Sequence, residues 1–256
     1  MGNLIIICPL IFISGILDAI VGGGALISLP AYMAGGLPVH FAYGTNKFAS
    51  FLGTFTSAIR YIHNKKVELK SLIFFIVLCM IGSAIGSRIT LYLSDIYLKY
   101  ILIAILPILI FFLVIKKKDK NLLEKDNDLD TISKKRRIFY SIFWGFVMGV
   151  YGGFLGIGTT SFLILIFINI FKIDSVKACG NARIVNCSLN FIAMVTFILS
   201  GKVVFSIAIP AAISSMLGNY IGAGLAIKKE NKIMKPLFIG LFVILFIKLI
   251  YDIVIG

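Results

Sequence analysis

Eight apolar runs follow one another along the chain, at residues 4–36, 40–62, 71–93, 97–115, 138–170, 174–200, 203–227 and 233–255. A hydrocarbon core of about 30 Å takes roughly 20 helical residues at 1.5 Å each. Runs of this length leave no stretch from which a soluble domain could be built. The composition agrees: 59 % of residues are hydrophobic, 14 % are charged, and the mean hydropathy is +1.03, far from the values of a soluble domain. The chain therefore reads as an all-α polytopic membrane protein whose partner is the lipid bilayer. No basic residue precedes Leu4, so the first run is expected to be a span rather than a cleaved leader.

A net charge of +14 would point to nucleic acid in a soluble protein. Here most basic residues sit in loops or at the ends of runs, where orientation in the membrane accounts for them, and no nucleic-acid partner is expected. Cys8, Cys79, Cys179 and Cys187 form no CxxC pair and lie in apolar context. They imply neither a disulfide framework nor a zinc site, and nothing in the sequence asks for a metal or another cofactor.

The first and fifth runs break the length rule. At about 33 residues each they would make helices of roughly 50 Å, too long for one crossing and short for two full ones. Both carry glycines near the middle, in "VGGGALISLP" (21–30) and "YGGFLGIGTT" (151–160). Length and break together predict two shortened helices joined by a turn within the membrane, so each run is expected to be a broken or re-entrant hairpin.

A single ungapped shift, carrying residue 43 onto residue 179, lays the two halves over each other. "YGTNKFAS" (43–50) falls on "CGNARIVN" (179–186), which places Gly44 on Gly180 and Lys47 on Arg183. "KKV" (65–67) falls on "GKV" (201–203), "GSAIG" (82–86) on "GNYIG" (218–222), and Gly22 on Gly158. One shift that matches several separated places marks an internal duplication. The expected organisation is a first transmembrane repeat at 1–115, a charged cytoplasmic linker at 116–137 and a second repeat at 138–256. The linker carries nine Lys/Arg and five Asp/Glu.

Charge placement predicts how the halves are related. With the linker cytoplasmic, "HNKKVELK" (63–70) is inside as well. A hairpin at 138–170 also brings "KKENKIMK" (228–235) inside, as the positive-inside bias favours. Each half then crosses the membrane an odd number of times, which makes the two halves an inverted repeat.

Backbone that leaves the helix at membrane depth must be buried in protein or line a cavity. The N–H groups that open the second half-helix carry positive partial charge and favour anions, and glycines let a ligand approach closely. Gly22, Gly23 and Gly24 in one break, and Gly158 with Thr159 and Thr160 in the other, are therefore candidate anion contacts. The alternative is that these glycines only let helices pack tightly.

Lys47 and Arg183 lie well inside their runs, where an isolated cation is costly. Positions three and seven further along share the helix face: Ser50 and Thr54 after Lys47, Asn186 and Asn190 after Arg183. Two such stripes would frame a small oxyanion. Alternatively the cations snorkel to an interface or pair with Asp18. Asp18 falls on Phe154 and so has no acidic counterpart. It is a candidate to carry a coupled proton, to neutralise Lys47, or to form a purely structural ion pair. "GSAIG" and "GNYIG" read as packing motifs.

With these motifs in place, the chain resembles the sulfite exporter TauE/SafE family, also called the 4-toluene sulfonate uptake permeases. The resemblance rests on "GGGALISLP", on "AYGTNKFASFLGTFTSAIRYIHNKKV" and on "GNARIVNCSLNFIAMVTFILSGKVVF", and spans nearly the whole chain. It implies a multi-pass transporter of the bacterial inner membrane that carries sulfite, thiosulfate, sulfonates or related organosulfur anions. It also implies motif residues Thr45, Asn46 and Lys47 in the first half, and Asn181, Arg183, Asn186 and Asn190 in the second. The expected function is thus secondary transport of a small anionic substrate. No G-x-x-x-x-G-K-[ST] loop is present, so a proton gradient or the substrate's own gradient would drive it. An anion channel with the same site is the first alternative. A membrane enzyme is the second, but the paired carboxylates or activated nucleophile it needs are missing. Oligomeric state leaves no mark in the sequence.

Overall fold

The computed structural model describes residues 2–68, 72–102, 104 and 134–227. The expectations for residues 116–133, for the 228–235 loop and for the final run lie outside the described residues. Eight helices are bounded: α1 (Gly2–Val21), α2 (Ala25–Ala34), α3 (Val39–His63), α4 (Ile73–Tyr92), α5 (Lys134–Phe154), α6 (Thr159–Asn169), α7 (Ser175–Leu199) and α8 (Phe205–Ile227). A further helical stretch begins at residue 95, and no strand occurs among the described residues.

Both long runs are broken where the glycines stand. α1 ends at Val21, and Gly22 and Gly23 adopt φ of +79° and +109° before α2 begins. α5 ends at Phe154, and Gly156 and Gly158 adopt +71° and +69° before α6. Such angles suit glycine and strain other residues. After the first break α2 folds back along α1. Ile27 shares a packed cluster with Ile16, Leu17 and Ile20, and a Cβ on Gly35 would lie 2.6 Å from Ile7 Cδ1. The arms are unequal, which corrects the expectation of two shortened helices. α1 and α5 have 20 and 21 residues, whereas α2 and α6 have 10 and 11. At 1.5 Å per residue the first arm is about 30 Å long and the second about half that. Part of the α5 length comes from "KKRR" (134–137), the predicted end of the linker, which forms its first turn.

The shift that relates the two halves recurs in helix bounds and backbone angles. α3 runs from Val39 to His63 and α7 from Ser175 to Leu199, so both ends differ by that one interval. The left-handed residues pair the same way: Gly22 with Gly158, Gly36 with Lys172, and Lys65 with Gly201. At two of these pairs a lysine adopts in one half the conformation that glycine adopts in the other. The helix starts differ chemically at matched positions. Pro38 sets the entry to α3, while Asp174 caps α7 by accepting from Val176 N and Lys177 N at 3.0 and 3.2 Å, a standard N-cap arrangement.

Helices pack across the halves. α1 lies along α8, and α5 along α4; α3 touches α7 and α8, and α7 touches α4. The glycine pairs make some of the closest of these approaches. A Cβ on Gly82 would lie 2.5 Å from the Phe146 carbonyl oxygen, and one on Gly222 2.5 Å from that of Ile16. Here small residues let backbones meet, the packing expected of GxxxG helices in lipid. The outer faces are the reverse of a soluble protein's. Ile73, Val77, Ile81, Ile85 and Ile89 form an exposed stripe on α4, while Ser83, Ser87 and Thr90 on its other side are fully buried. α4, α7 and α8 are long and apolar enough to cross a membrane. α3 is as long as α7 but less apolar, because it carries fewer aliphatic side chains; both bury polar residues, Thr45, Asn46, Lys47, Thr54 and Ser57 in α3 and Asn181, Arg183, Asn186 and Asn190 in α7.

Candidate functional site

α3 and α7 run antiparallel through the centre. Gly44 lies against Phe197, Lys47 Nζ reaches Asn190 Oδ1 at 3.4 Å, and the rings of Phe51 and Phe191 are 5.3 Å apart. The two helices are therefore matched in sequence position and opposed in direction. Their starts are anchored by reciprocal contacts. Thr45 Oγ1 accepts from Val204 N at 3.2 Å, and Asn181 Oδ1 accepts from Glu68 N at 2.9 Å. Gly44 faces the carbonyl of Lys202, and Gly180 that of Lys66. In every case the repeat shift exchanges both partners for their counterparts in the other half.

The two buried cations grip the broken helices of the opposite half. Lys47 is 2 % exposed, and its Nζ donates to the Gly152 carbonyl at 2.5 Å, in the last turn of α5. Arg183 is fully buried. Its Nη1 donates to Asp18 Oδ2 at 2.7 Å, and its Nη2 donates to the Asp18 carbonyl near the end of α1. Carbonyls near a helix end carry negative partial charge, so each cation meets a favourable acceptor, although the Asp18 carbonyl also accepts from Gly22 N at 2.9 Å. Asp18 thus pairs with Arg183, not with Lys47. Its second oxygen accepts from Gly24 N at 3.3 Å, so this carboxylate faces the positive end of α2. Lys47 has no carboxylate partner among the described residues.

Between these groups lies a polar cavity of about 20 Å³, room for about one water. Of the residues singled out in the sequence, it is lined by Asp18, Gly24, Asn46, Lys47, Ser50, Asn186 and Asn190. Asn46 is oriented by Ser28, whose hydroxyl donates to its Oδ1 at 2.6 Å. The remaining candidates stand elsewhere. Arg183 lies behind Asp18, and Thr45 and Asn181 hold the inter-half contacts just described. Gly22 and Gly23 form the turn before the cavity, and Gly22 meets the start of α6: its carbonyl accepts from Ser161 Oγ at 3.1 Å. Gly158 caps α6, where Thr159 and Thr160 are buried with hydroxyls that find no partner among the described residues. Thr54 turns back to donate to the Ser50 carbonyl at 2.7 Å.

Six further polar or small lining residues were not among the candidates read from the sequence: Ser14, Gly15, Ala25, Gly156, Ser215 and Asn219. Ser14 lies four before Asp18, and Asn219 four after Ser215, so each pair shares a helix face. That spacing within an apolar run was the available signal; in α8 the adjacent packing glycines obscured it.

Apolar residues face outward, while amides, hydroxyls and an ammonium face a small polar chamber between two helix breaks. By class this is an integral membrane protein built around a buried polar site. The chain matches the family described as Sulfite exporter TauE/SafE over residues 7–249, and it belongs to that family of membrane transporters. It is 30 % identical to the probable membrane transporter protein YfcA of Escherichia coli (strain K12) over 244 residues, covering 94 % of this chain and 87 % of that relative. It is 27 % identical over 245 residues to a probable membrane transporter protein of Haemophilus influenzae, covering 94 % and 92 %. It is 28 % identical over 241 residues to the probable membrane transporter protein ORF9 of Sinorhizobium sp, covering 94 % and 90 %. No solved structure matches the chain significantly.

Proposed function

We propose that this transporter is a secondary carrier for a small, sulfur-containing oxyanion, bound where the two halves meet and moved by alternating access. The observation that carries the reading is Lys47: a buried ammonium without a carboxylate partner among the described residues, facing a chamber of amides and hydroxyls. An uncompensated charge at membrane depth is costly and functional by default, and an anion is its natural counter-charge. In this reading Lys47 supplies charge, while Asn46, Ser50, Asn186 and Asn190 supply hydrogen bonds and close off water. Asp18 on the wall and Arg183 behind it set the electrostatics. The halves form an inverted repeat in the bacterial inner membrane, with residues 64–68 and the 116–137 linker in the cytoplasm. The opposed directions of α3 and α7 support this arrangement.

A chamber with room for about one water is too small for a sulfur oxyanion of four or more heavy atoms. Its walls must therefore part to admit one, which favours a carrier that opens to each side in turn over a continuous pore. In proteoliposomes, labelled sulfite, part of which is the bisulfite monoanion at neutral pH, is expected to show saturable counterflow against unlabelled substrate. Single-channel currents without counterflow would instead establish a channel.

Topology is tested separately with Asn64→Cys and Ser200→Cys, matched positions that are both exposed, in an otherwise cysteine-free chain. Inverted halves place these thiols on opposite sides, so an impermeant maleimide added to intact cells is expected to label only the residue 200 variant. Equal labelling of both would show that the halves are parallel.

A further inference from the structure

We infer that Asp18 sets the valence of the substrate, so that the site takes singly charged anions and rejects doubly charged ones. The inference rests on the anion-carrier reading and deepens it. Among the described residues the only ionisable groups that line the chamber are Lys47 and Asp18, with Arg183 bound directly behind the carboxylate. Two cations and one carboxylate leave a single net positive charge. The Asp18 carboxylate occupies the place an anion would otherwise take. It holds Arg183 Nη1 at 2.7 Å and accepts from Gly24 N, at the positive end of α2, at 3.3 Å. A substrate thus finds the Arg183 end of the site already neutralised and only Lys47 open to it.

Charge decides the rest. The cost of desolvating an ion grows with the square of its charge, so a dianion costs about four times as much as a monoanion to bring into a low-dielectric chamber. A monoanion opposite Lys47 leaves the chamber neutral. A dianion leaves an uncompensated negative charge beside the Asp18 carboxylate, where like charges repel. The hydroxyls and amides on the walls can donate hydrogen bonds but add no counter-charge. The asymmetry is specific to this position. Phe154 stands where the matching half would carry its own carboxylate, and Lys47 is consequently left open.

Methanesulfonate and sulfate test this directly, since they share a tetrahedral sulfur and differ by one charge. With full-length protein in proteoliposomes, wild type is expected to take up methanesulfonate at least tenfold more efficiently than sulfate. Asp18→Asn raises the net charge to two and is expected to lower that ratio at least tenfold. The double variant Asp18→Asn/Arg183→Gln returns the net charge to one and is expected to restore the monoanion preference, a recovery that a merely structural role for Asp18 would not produce. A wild-type ratio near unity overturns the inference even if Asp18→Asn fails to fold, and so does an unchanged ratio in a folded Asp18→Asn protein. If wild type moves labelled sulfite but neither test anion, the valence inference fails alone. If it moves no sulfur oxyanion at all, the carrier reading fails first.

Discussion

Replacing Lys47 with methionine is expected to reduce oxyanion uptake at least about 30-fold while leaving the protein folded. Truncating one member of a buried charge pair costs about 2–5 kcal/mol or more of binding. Each tenfold in affinity corresponds to about 1.4 kcal/mol. The fold should tolerate the change because no carboxylate among the described residues depends on this ammonium. Methionine keeps the length and flexibility of the stem, and removing an ammonium that has no carboxylate partner among the described residues also removes its cost of desolvation. The loss is confined to the hydrogen bonds to the Gly152 carbonyl and Asn190 Oδ1. Measured together, flux should collapse while the unfolding temperature in detergent holds or rises. Undiminished flux in the Lys47→Met protein would remove the ammonium from the binding site.

Arg183→Met is expected to do the reverse, lowering stability by about 3 kcal/mol before any question of transport arises. The arginine is fully buried and joins α7 to α1 through the side chain and the carbonyl of Asp18. Breaking a buried ion pair by removing one partner costs about 3–5 kcal/mol, because the other charge is stranded. The lower figure applies here, since the Asp18 side chain keeps 17 % exposure and its contact with Gly24 N. Adding Asp18→Asn to the Arg183→Met protein should recover most of the lost unfolding temperature. If Arg183→Met unfolds no earlier than wild type, the ion pair is not what fastens α1 to α7. The two cations occupy matched positions in the repeat, yet they are predicted to fail in opposite ways. Among the described residues, only Arg183 has a carboxylate to strand.

Much of this architecture was legible in the residues. Apolar runs marked the helical segments among the described residues, because in lipid every backbone polar group must be satisfied within its own segment, but not the unequal arms of the two broken runs. Gly22, Gly23, Gly156 and Gly158 marked both breaks, since the angles needed there are open to glycine. The shift that placed Lys47 on Arg183 also paired Thr45 with Asn181, and these turned out to hold equivalent contacts across the halves. Lys65 and Lys172 were not legible as turns. Their left-handed conformations are imposed by the surrounding chain and match glycines only in the other half.

What the sequence by itself determined is local and periodic: which segments are apolar, where the two long ones break, which two cations are buried, and which positions one fixed shift relates. Each follows from a preference that a residue carries wherever the chain goes. What only the tertiary structure decided is who meets whom. It paired Asp18 with Arg183 rather than Lys47, set each cation against the opposite half's helix end, and brought Ser14, Ser215 and Asn219 to the chamber wall. These depend on how antiparallel helices interleave between segments far apart in the chain. No propensity or spacing encodes that geometry; it follows from close packing of backbones at glycines and from the need to satisfy every buried charge.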